Sequence, residues 1–127
     1  MALTLTLLSE TFAICRLDPR ADIPGWTTHG SLLSITRTAE ELSIVCPDSS
    51  AAENIPCDRP WQALRVSGPL DFSLVGILAS LTAPLAAANI SIFAISTYDT
   101  DYLLVKEAQV TAAIAALRQQ GHVVNCD

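Results

Sequence analysis

The 27 residues from 72 to 98 contain no Asp, Glu, Lys, Arg or His, and most of them are apolar. A run of this length passes the simplest test for a membrane-spanning helix, which needs about 20 apolar residues. However, Pro84, Asn89 and several Ser and Thr residues interrupt it, and the apolar spacing changes midway from a helical period to a strand-like one. The sequence therefore predicts a buried helix followed by a buried strand, and no membrane span.

The overall composition is typical of a globular, acidic chain. Half of the 127 residues are hydrophobic, 16% are charged, and the formal net charge is −6. A chain of this length buries roughly two thirds of its unfolded surface, which is enough for one core or two small units. The seven Lys and Arg residues are scattered along the sequence. Nucleic acids and anionic membranes attract clustered positive charge, so the sequence predicts neither as a partner.

The amino-terminal segment and the cysteines indicate the compartment. Residues 1–15 lack the positive start of a secretory signal, and Glu10 interrupts their apolar character. The four cysteines form no CxxC pair, and the two histidines lie far apart with no cysteine at ligand spacing. The cysteines are Cys15, Cys46, Cys57 and Cys126. We therefore expect a cytoplasmic protein with buried, reduced thiols, no metal site and no cofactor.

The amino half is rich in predicted strands and shows no amphipathic helix. Strands are predicted at residues 3–8 and 11–17 with a turn at 9–10, and a hairpin is predicted from residues 31–38 and 41–47. Residues 48–60 carry two prolines and few large apolar side chains, which is typical of a linker. Residues 1–60 are therefore assigned to a degenerate, strand-rich unit that ends in a linker at about residues 48–60.

The carboxyl half begins with a strand over residues 61–67 and a helix. Asp71 can cap the start of this helix, and Asn89 should end it. Pro84 should bend its last turn, because proline lacks an N–H and crowds the preceding turn. The predicted apolar stripe consists of Val75, Leu78, Leu81 and Leu85, widened by Leu74 and Ile77.

The remaining pattern completes a β-α-β-β-α-β unit over residues 61–127. Strands are predicted at residues 90–96 and 101–106, followed by a helix over residues 107–120 that Gly121 caps. A short strand at residues 122–125 closes the chain, with His122 exposed at its start. This order is typical of two helices that cover one face of an antiparallel sheet.

The motifs of residues 68–107, GPLDFSLVGILASLTAPLAAANISIFAISTYDTDYLLVKE, closely resemble the ACT domain, a small regulatory module that binds amino acids. The likeness is greatest to tandem-ACT proteins related to the CASTOR arginine sensors and to their uncharacterised bacterial relatives. WxxLxVxGPLDFS extends the match from residue 61, and CRLDP and SITRTAEELSIVCP in the amino half resemble the first unit of such proteins. Several linked motifs in the family's order are more specific than one short pattern.

The resemblance implies an α+β fold of two ACT-like, ferredoxin-like units with antiparallel sheets. The amino-terminal unit, residues 1–60, would be the degenerate and helix-poor one. The resemblance also implies an allosteric, non-catalytic sensor that holds a small amino acid between its units. Such a sensor acts through a homo-oligomer or a regulated protein partner. The animal sensors have four units and this chain has two, so their ligand and partner need not transfer.

In such proteins the ligand lies near the start of the first helix and the loop between the second and third strands. These places correspond to residues 71–76 and 97–101 of this chain. The predicted ligand-binding residues are Asp101, Thr97, Tyr98, Thr100, Phe72, Ser73 and Gly76. A helix start can bind a carboxylate through its free N–H groups and its dipole. Tyr98 could offer an aromatic wall to the ligand.

The predicted ligand site depends mainly on Asp101. By strand alternation it shares a face with Leu103 and Val105, while Tyr102 points to the other face. A carboxylate at the edge of an apolar face needs a hydrogen-bond donor, and the ammonium of an amino acid would be a suitable one. The alternative is that Asp101 accepts N–H groups of its own turn. Asp99 is predicted to be an exposed turn residue.

The sequence leaves two other classes of function open. One is an interaction module whose ligand pocket is vestigial and whose sheet edge pairs with a partner. The other is a small enzyme, but the sequence shows no Ser, His and acid group, no Gly-rich phosphate loop and no HExxH helix. Asp99 and Asp101 are also close neighbours in one strand-end turn, which does not suit a paired-carboxylate site.

Overall fold

A computed structural model describes residues 2–27, 30–68 and 75–126, which form seven strands and two α-helices. The strands are β1 (Thr4–Leu17), β2 (Ser34–Arg37), β3 (Leu42–Pro47), β4 (Cys57–Val66), β5 (Ile92–Ser96), β6 (Asp101–Lys106) and β7 (Val123–Cys126). The helices are α1 (Ile77–Ala87) and α2 (Val110–Gln119). Short 3₁₀ helices cover Gly25–Thr27, Asp48–Ser50 and Glu107–Gln109. Within the described ranges, no helix is both long enough and apolar enough to cross a membrane.

The chain divides into two compact units, which we call the larger unit (residues 1–9 and 62–127) and the smaller unit (residues 10–61). The sequence-based division at residue 60 assigns the first nine residues to the other unit. The difference arises because β1 is one uninterrupted strand of 14 residues. The predicted turn at residues 9–10 is wrong: the segment has no Gly, Pro or Asn to reverse the chain, and Ser9 and Glu10 continue the strand.

The larger unit has the strand order β7-β1-β4-β6-β5. From β4 onward its elements follow one another as β-α-β-β-α-β, which confirms the predicted order. β5 and β6 pair antiparallel, from Ile92 opposite Val105 to Ser96 opposite Asp101. β7 pairs parallel with β1, from Val123 opposite Thr4 to Cys126 opposite Leu7. The amino-terminal strand therefore lies between β4 and β7, an insertion that the sequence did not predict.

The core of the larger unit is built from both helices and the sheet. Leu81 and Leu85 of α1 and Leu117 of α2 are fully buried. They pack in one cluster with Leu64 and Val66 of β4 and Leu103 and Val105 of β6. The predicted apolar stripe is wrong at its amino-terminal end, at Val75, because α1 begins only at Ile77. Val75 lies before the helix and is 82% exposed, whereas Ile77 is buried.

The two helices end in the same hydrogen-bonded motif. After α1, the N–H of Asn89 bonds the carbonyl of Ala86 at 3.0 Å, and the N–H of Ile90 bonds the carbonyl of Leu85 at 2.9 Å. Asn89 has a φ of 60°, the left-handed conformation that this motif requires. After α2, Gly121 takes the same place with a φ of 90°. Both predicted helix stops are confirmed.

His122 is buried, at 4% exposure, so the prediction that it is exposed is wrong. The N–H of Leu3 donates to Nδ1 of His122 at 3.1 Å, and Nε2 lies 3.1 Å from the carbonyl oxygen of Ser80. Because a carbonyl can only accept, Nε2 carries the proton and the ring is the neutral tautomer. The imidazole thus joins the start of β1 to α1 within the larger unit.

The smaller unit has the strand order β2-β3-β1-β4 and, among its described residues, only short 3₁₀ helices. The predicted hairpin is confirmed, with β2 and β3 antiparallel from Ser34 opposite Val45 to Arg37 opposite Leu42. β3 also pairs antiparallel with β1, from Pro47 opposite Phe12 to Leu42 opposite Leu17. The sheet alone therefore supplies the regular structure of this unit, which agrees with a helix-poor copy.

The segment predicted as a linker contains ordered structure at both ends. Residues Asp48–Ser50 form a 3₁₀ helix, and β4 begins at Cys57. The guanidinium of Arg59 bonds the Asp48 carboxylate at 2.5 Å through Nε and the Asp48 carbonyl at 2.7 Å through Nη2. These bonds hold the two ends of the segment together.

Cys15 and Cys57 form a disulfide, which corrects the prediction of reduced thiols at these two positions. The two residues lie on the neighbouring strands β1 and β4, with their Cα atoms 4.1 Å apart. A separation of 42 residues along the chain gave no sign of this contact. Cys46 is free and buried as predicted, and burial raises the pKa of its thiol, whereas Cys126 is free and exposed.

Gly30 is required by its backbone conformation and by its neighbour. Its φ is 112°, and a Cβ at this position would overlap the ring of the buried Pro47. We expect Gly30→Ala to lower the free energy of unfolding by about 1–3 kcal/mol, as measured by urea denaturation. Gly25→Ala is the matched control, since a Cβ there meets no atom of the described residues within 4 Å. Equal stability of the two variants would contradict this assignment.

Glu10 binds Ser31, the residue after Gly30, through two hydrogen bonds. Its carboxylate accepts the Ser31 hydroxyl at 2.5 Å and the Ser31 N–H at 2.6 Å. The bond from the Ser31 hydroxyl lowers the pKa of Glu10 most, and the bond from the Ser31 N–H lowers it further. Burial raises the pKa by a smaller amount, so the pKa lies below its ordinary value of 4.5. A folded-state pKa below the unfolded one stabilises the protein above the ordinary pKa, and this stabilisation is lost as the pH falls through the folded value.

We therefore expect the stability difference between the wild type and Glu10→Gln to shrink as the pH falls from about 6 to about 3. Urea denaturation of both proteins across this range measures the difference directly. A difference that stays constant over the whole range would show that the Glu10 charge does not matter to folding.

Candidate functional site

The β5–β6 turn is tied by its own threonines. The N–H of Thr97 donates to the carbonyl of Thr100 at 2.8 Å, and the Thr97 hydroxyl donates to the same oxygen at 3.0 Å. The N–H of Thr100 returns a bond to the Thr97 hydroxyl at 3.3 Å. Thr97 is exposed, but its hydroxyl is engaged within the turn.

Thr100 fixes this turn to the end of β4. Its side chain is buried, and its hydroxyl donates to the carbonyl of Val66 at 2.7 Å. The neighbouring strand is therefore held beside the turn by a buried side-chain bond as well as by the sheet. Such a connection fixes the backbone of the turn beside β4, and a binding site needs a fixed support of this kind.

Asp101 is half-buried at the start of β6, and the Ser96 hydroxyl donates to its Oδ1 at 2.6 Å. Leu103 and Val105, two and four residues further on, are fully buried against α1 and α2. By alternation Asp101 is at the open end of this apolar row. Among the residues that the structure describes, Ser96 is its one hydrogen-bond partner and no cation pairs with it.

The other predicted residues of the turn are more exposed. Tyr98 is 80% exposed. Asp99 is also exposed, as expected of a turn residue. Gly76 lies at the start of α1 with a φ of 81°, and its carbonyl accepts the N–H of Ser80 at 2.9 Å. No atom of the described residues lies within 4 Å of the place of a Cβ. Phe72 and Ser73, the remaining predicted residues, lie outside the described part of the chain.

An open depression of about 380 Å³ lies beside the same turn. Of the predicted site residues, Thr97 and Thr100 line it, and Asp101 does not. Its lining residues are Arg65, Val66, Ser67, Gly68, Thr97, Asp99, Thr100 and Tyr102. Arg65 and Tyr102 were not predicted as site residues, although strand alternation in WQALRVS does place Arg65 on the face opposite Leu64 and Val66.

Comparison with known proteins identifies the family. A model described as the ACT domain matches residues 57–119, and a model described as an N-terminal domain matches residues 10–58. The chain belongs to the ACT-domain family. The matched regions meet at residues 57–58, near the boundary between the smaller and larger units.

Solved structures are similar to this chain over nearly its whole length. Protein Atu0741 from Agobacterium tumefaciens is 34% identical, with a TM-score of 0.94 over 100% of this chain and 95% of that chain. The solved aspartokinase α and β subunits are 17% identical, with a TM-score of 0.65 over 95% of this chain and 99% of that chain. At this identity, the second likeness shows the fold alone.

A relative with a named function matches only part of the chain. The human protein "Cytosolic arginine sensor for mTORC1 subunit 1" is 44% identical over 64 residues. The matched segment covers 48% of this chain and 20% of that protein. The matched segment therefore spans about a fifth of the length of this relative.

Proposed function

We propose that this ACT-domain chain is a non-catalytic regulatory protein that binds a small free amino acid, with Asp101 as the partner of the ligand's ammonium group. The proposal is based on the position of Asp101. Its half-buried carboxylate lies at the end of the row formed by Leu103 and Val105, and among the described residues the Ser96 hydroxyl is its one side-chain donor. An ionised carboxylate has about four lone-pair sites. Asp101 therefore keeps acceptor capacity for an ammonium, and a charge-assisted bond is stronger than a neutral one.

The carboxylate of the ligand is proposed to meet the start of α1. The N–H groups of the first helical turn have no partner inside the helix, and the helix dipole favours negative charge there. Gly76 has no side chain to cover this end, and among the described residues no atom lies within 4 Å of the place of a Cβ. Phe72 and Ser73, before the helix, remain predicted contacts.

The class of ligand is supported by the named relative. The printed name of the human protein identifies it as an arginine sensor, and the likeness favours an amino acid over other small molecules. We propose that an occupied site shifts self-association or the affinity for a protein partner, since a ligand moves an equilibrium only through differential affinity for its states. The same printed name describes that protein as cytosolic, which supports the cytoplasm as the proposed place of action.

A panel of the 20 free L-amino acids at about 1 mM tests this function. We expect one or a few of them to raise the melting temperature, since a concentration 100 times the dissociation constant stabilises by about 2.7 kcal/mol. Recovery of the ligand unchanged, by mass spectrometry, would separate binding from turnover. If no amino acid stabilises the protein, the alternative of an interaction module with a vestigial pocket is favoured instead.

Asp101→Asn keeps the size of the side chain and removes its charge. We expect it to weaken binding of the stabilising amino acid by roughly tenfold or more, because a bond to a charged group is worth about 1.5–3 kcal/mol. Calorimetric titration measures this change. Glu107→Gln removes an exposed carboxylate beyond the other end of β6 and should leave the affinity unchanged. Wild-type affinity in Asp101→Asn would contradict the role of Asp101.

A further inference from the structure

The open depression beside the β5–β6 turn presents opposite charges that are not paired with each other. Arg65 and Asp99 both line it and both are exposed. Within the described ranges, neither side chain forms a hydrogen bond or an ion pair. An arginine and an aspartate that share one concave surface but do not meet leave both charges for a molecule that carries the complementary pair.

This depression lies on a different face from the carboxylate of Asp101. Arg65 is exposed between Leu64 and Val66, which are buried against the helices. Tyr102 likewise alternates with Asp101 and Leu103 along β6, so it points away from the helices. A ligand in the depression would therefore be bound separately from one at Asp101.

The walls of the depression are well fixed. The Thr100 hydroxyl donates to the carbonyl of Val66, so two of the lining residues join β4 to the turn. The Thr97 hydroxyl and N–H close the turn on the carbonyl of Thr100. The half-buried Tyr102 adds an aromatic surface. A fixed concave surface binds better than one that must be ordered by the ligand.

We propose that this depression is a second binding site, specific for a small zwitterion. Arg65 binds the carboxylate, which its planar guanidinium can hold through two bonds. Asp99 accepts the ammonium, and the Tyr102 ring contacts the apolar part of the ligand. The volume of about 380 Å³ lies within the range of small-molecule sites. Because both charges face water, the dissociation constant is expected on the order of 1 mM or above.

The test is nuclear magnetic resonance of the full chain labelled with ¹⁵N. Each of the 20 free L-amino acids is added at up to about 20 mM, several times the expected dissociation constant. We expect at least one to shift the backbone signals of Ser67, Gly68 and Thr97 in a saturable way. Arg65→Gln and Asp99→Asn should each weaken this binding by about fivefold or more. Glu107→Gln is the control for loss of an exposed charge and should bind as the wild type does.

Two further comparisons make the result specific. If alanine is the amino acid that binds, ethylamine and propionate each carry only one of its charges, and neither should produce the same shifts. Asp101→Asn separates this site from the one in the proposed function, because the depression needs no contact from Asp101. Unmoved signals with all 20 amino acids, equal binding by Arg65→Gln, or equal shifts with a single-charge probe would each overturn the proposal.

Discussion

Replacing His122 by leucine should lower the free energy of unfolding by roughly 2–6 kcal/mol, because two backbone groups then lose their partner at about 1–3 kcal/mol each. One group is the N–H of Leu3, directly before β1. The other is the carbonyl of Ser80 in α1. Val123→Thr, a change at the exposed neighbouring position, should alter stability by less than about 0.5 kcal/mol. Urea denaturation gives both values.

The carbonyl of Ser80 needs His122 for a particular reason. In an α-helix this carbonyl would accept the N–H of the residue four positions later, which is Pro84, inside α1. Proline has no N–H to give. The Nε2–H of His122 therefore replaces the missing helical donor.

A double-mutant cycle tests whether His122 supplies the hydrogen bond that Pro84 cannot donate to Ser80. In a Pro84→Ala background the new N–H can bond Ser80, so His122→Leu should cost about 1 kcal/mol less than it does in the wild type. An equal loss in both backgrounds would show that His122 and Pro84 are not coupled through this carbonyl.

The second large loss of stability is expected from Leu81→Ala in α1, and Val75, just before α1, offers the matching control. Leu81 is fully buried between the sheet and α2, so Leu81→Ala should lower the free energy of unfolding by roughly 3–5 kcal/mol. Val75 is 82% exposed, so Val75→Ala should change it by less than about 0.5 kcal/mol. Denaturation curves of both variants measure the contrast. A loss at Val75 comparable to that at Leu81 would favour the stripe predicted from sequence, in which both face the core.

Local patterns account for the parts of the fold that the sequence predicted well. The helix stops at Asn89 and Gly121 depend on a backbone conformation that only a few residue types adopt easily. The β2–β3 hairpin depends on alternation and a short polar connection. In each case the determinants lie within a few residues of the feature, so a reading of neighbouring residues was sufficient.

Contacts between distant segments account for the parts that were missed. His122 is paired with residues 119 and 42 positions away. Cys15 meets Cys57 only because β1 and β4 become neighbours. The parallel pair of β1 and β7 joins the two ends of the chain. No local pattern reports such partners, and the exposed position of Val75 likewise follows from where α1 begins.

In the candidate site, too, the sequence predicted the local features and missed the contacts between distant segments. The resemblance to the ACT domain predicted that the β5–β6 turn belongs to the site, and the threonines of that turn form a hydrogen-bonded unit. Arg65 comes from β4, more than 30 residues earlier than the turn it faces across the depression. The sequence could indicate which face of β4 it occupies, but not which turn would lie beside it.

The central claim is that Asp101 binds the ammonium group of a free amino acid. The most direct measurement is calorimetric titration of the wild type and Asp101→Asn with the amino acid that raises the melting temperature most. We expect saturable binding to the wild type and an affinity lower by roughly tenfold or more in the variant. Binding of the same affinity in both proteins, or no binding to the wild type by any of the 20 amino acids, would contradict the claim.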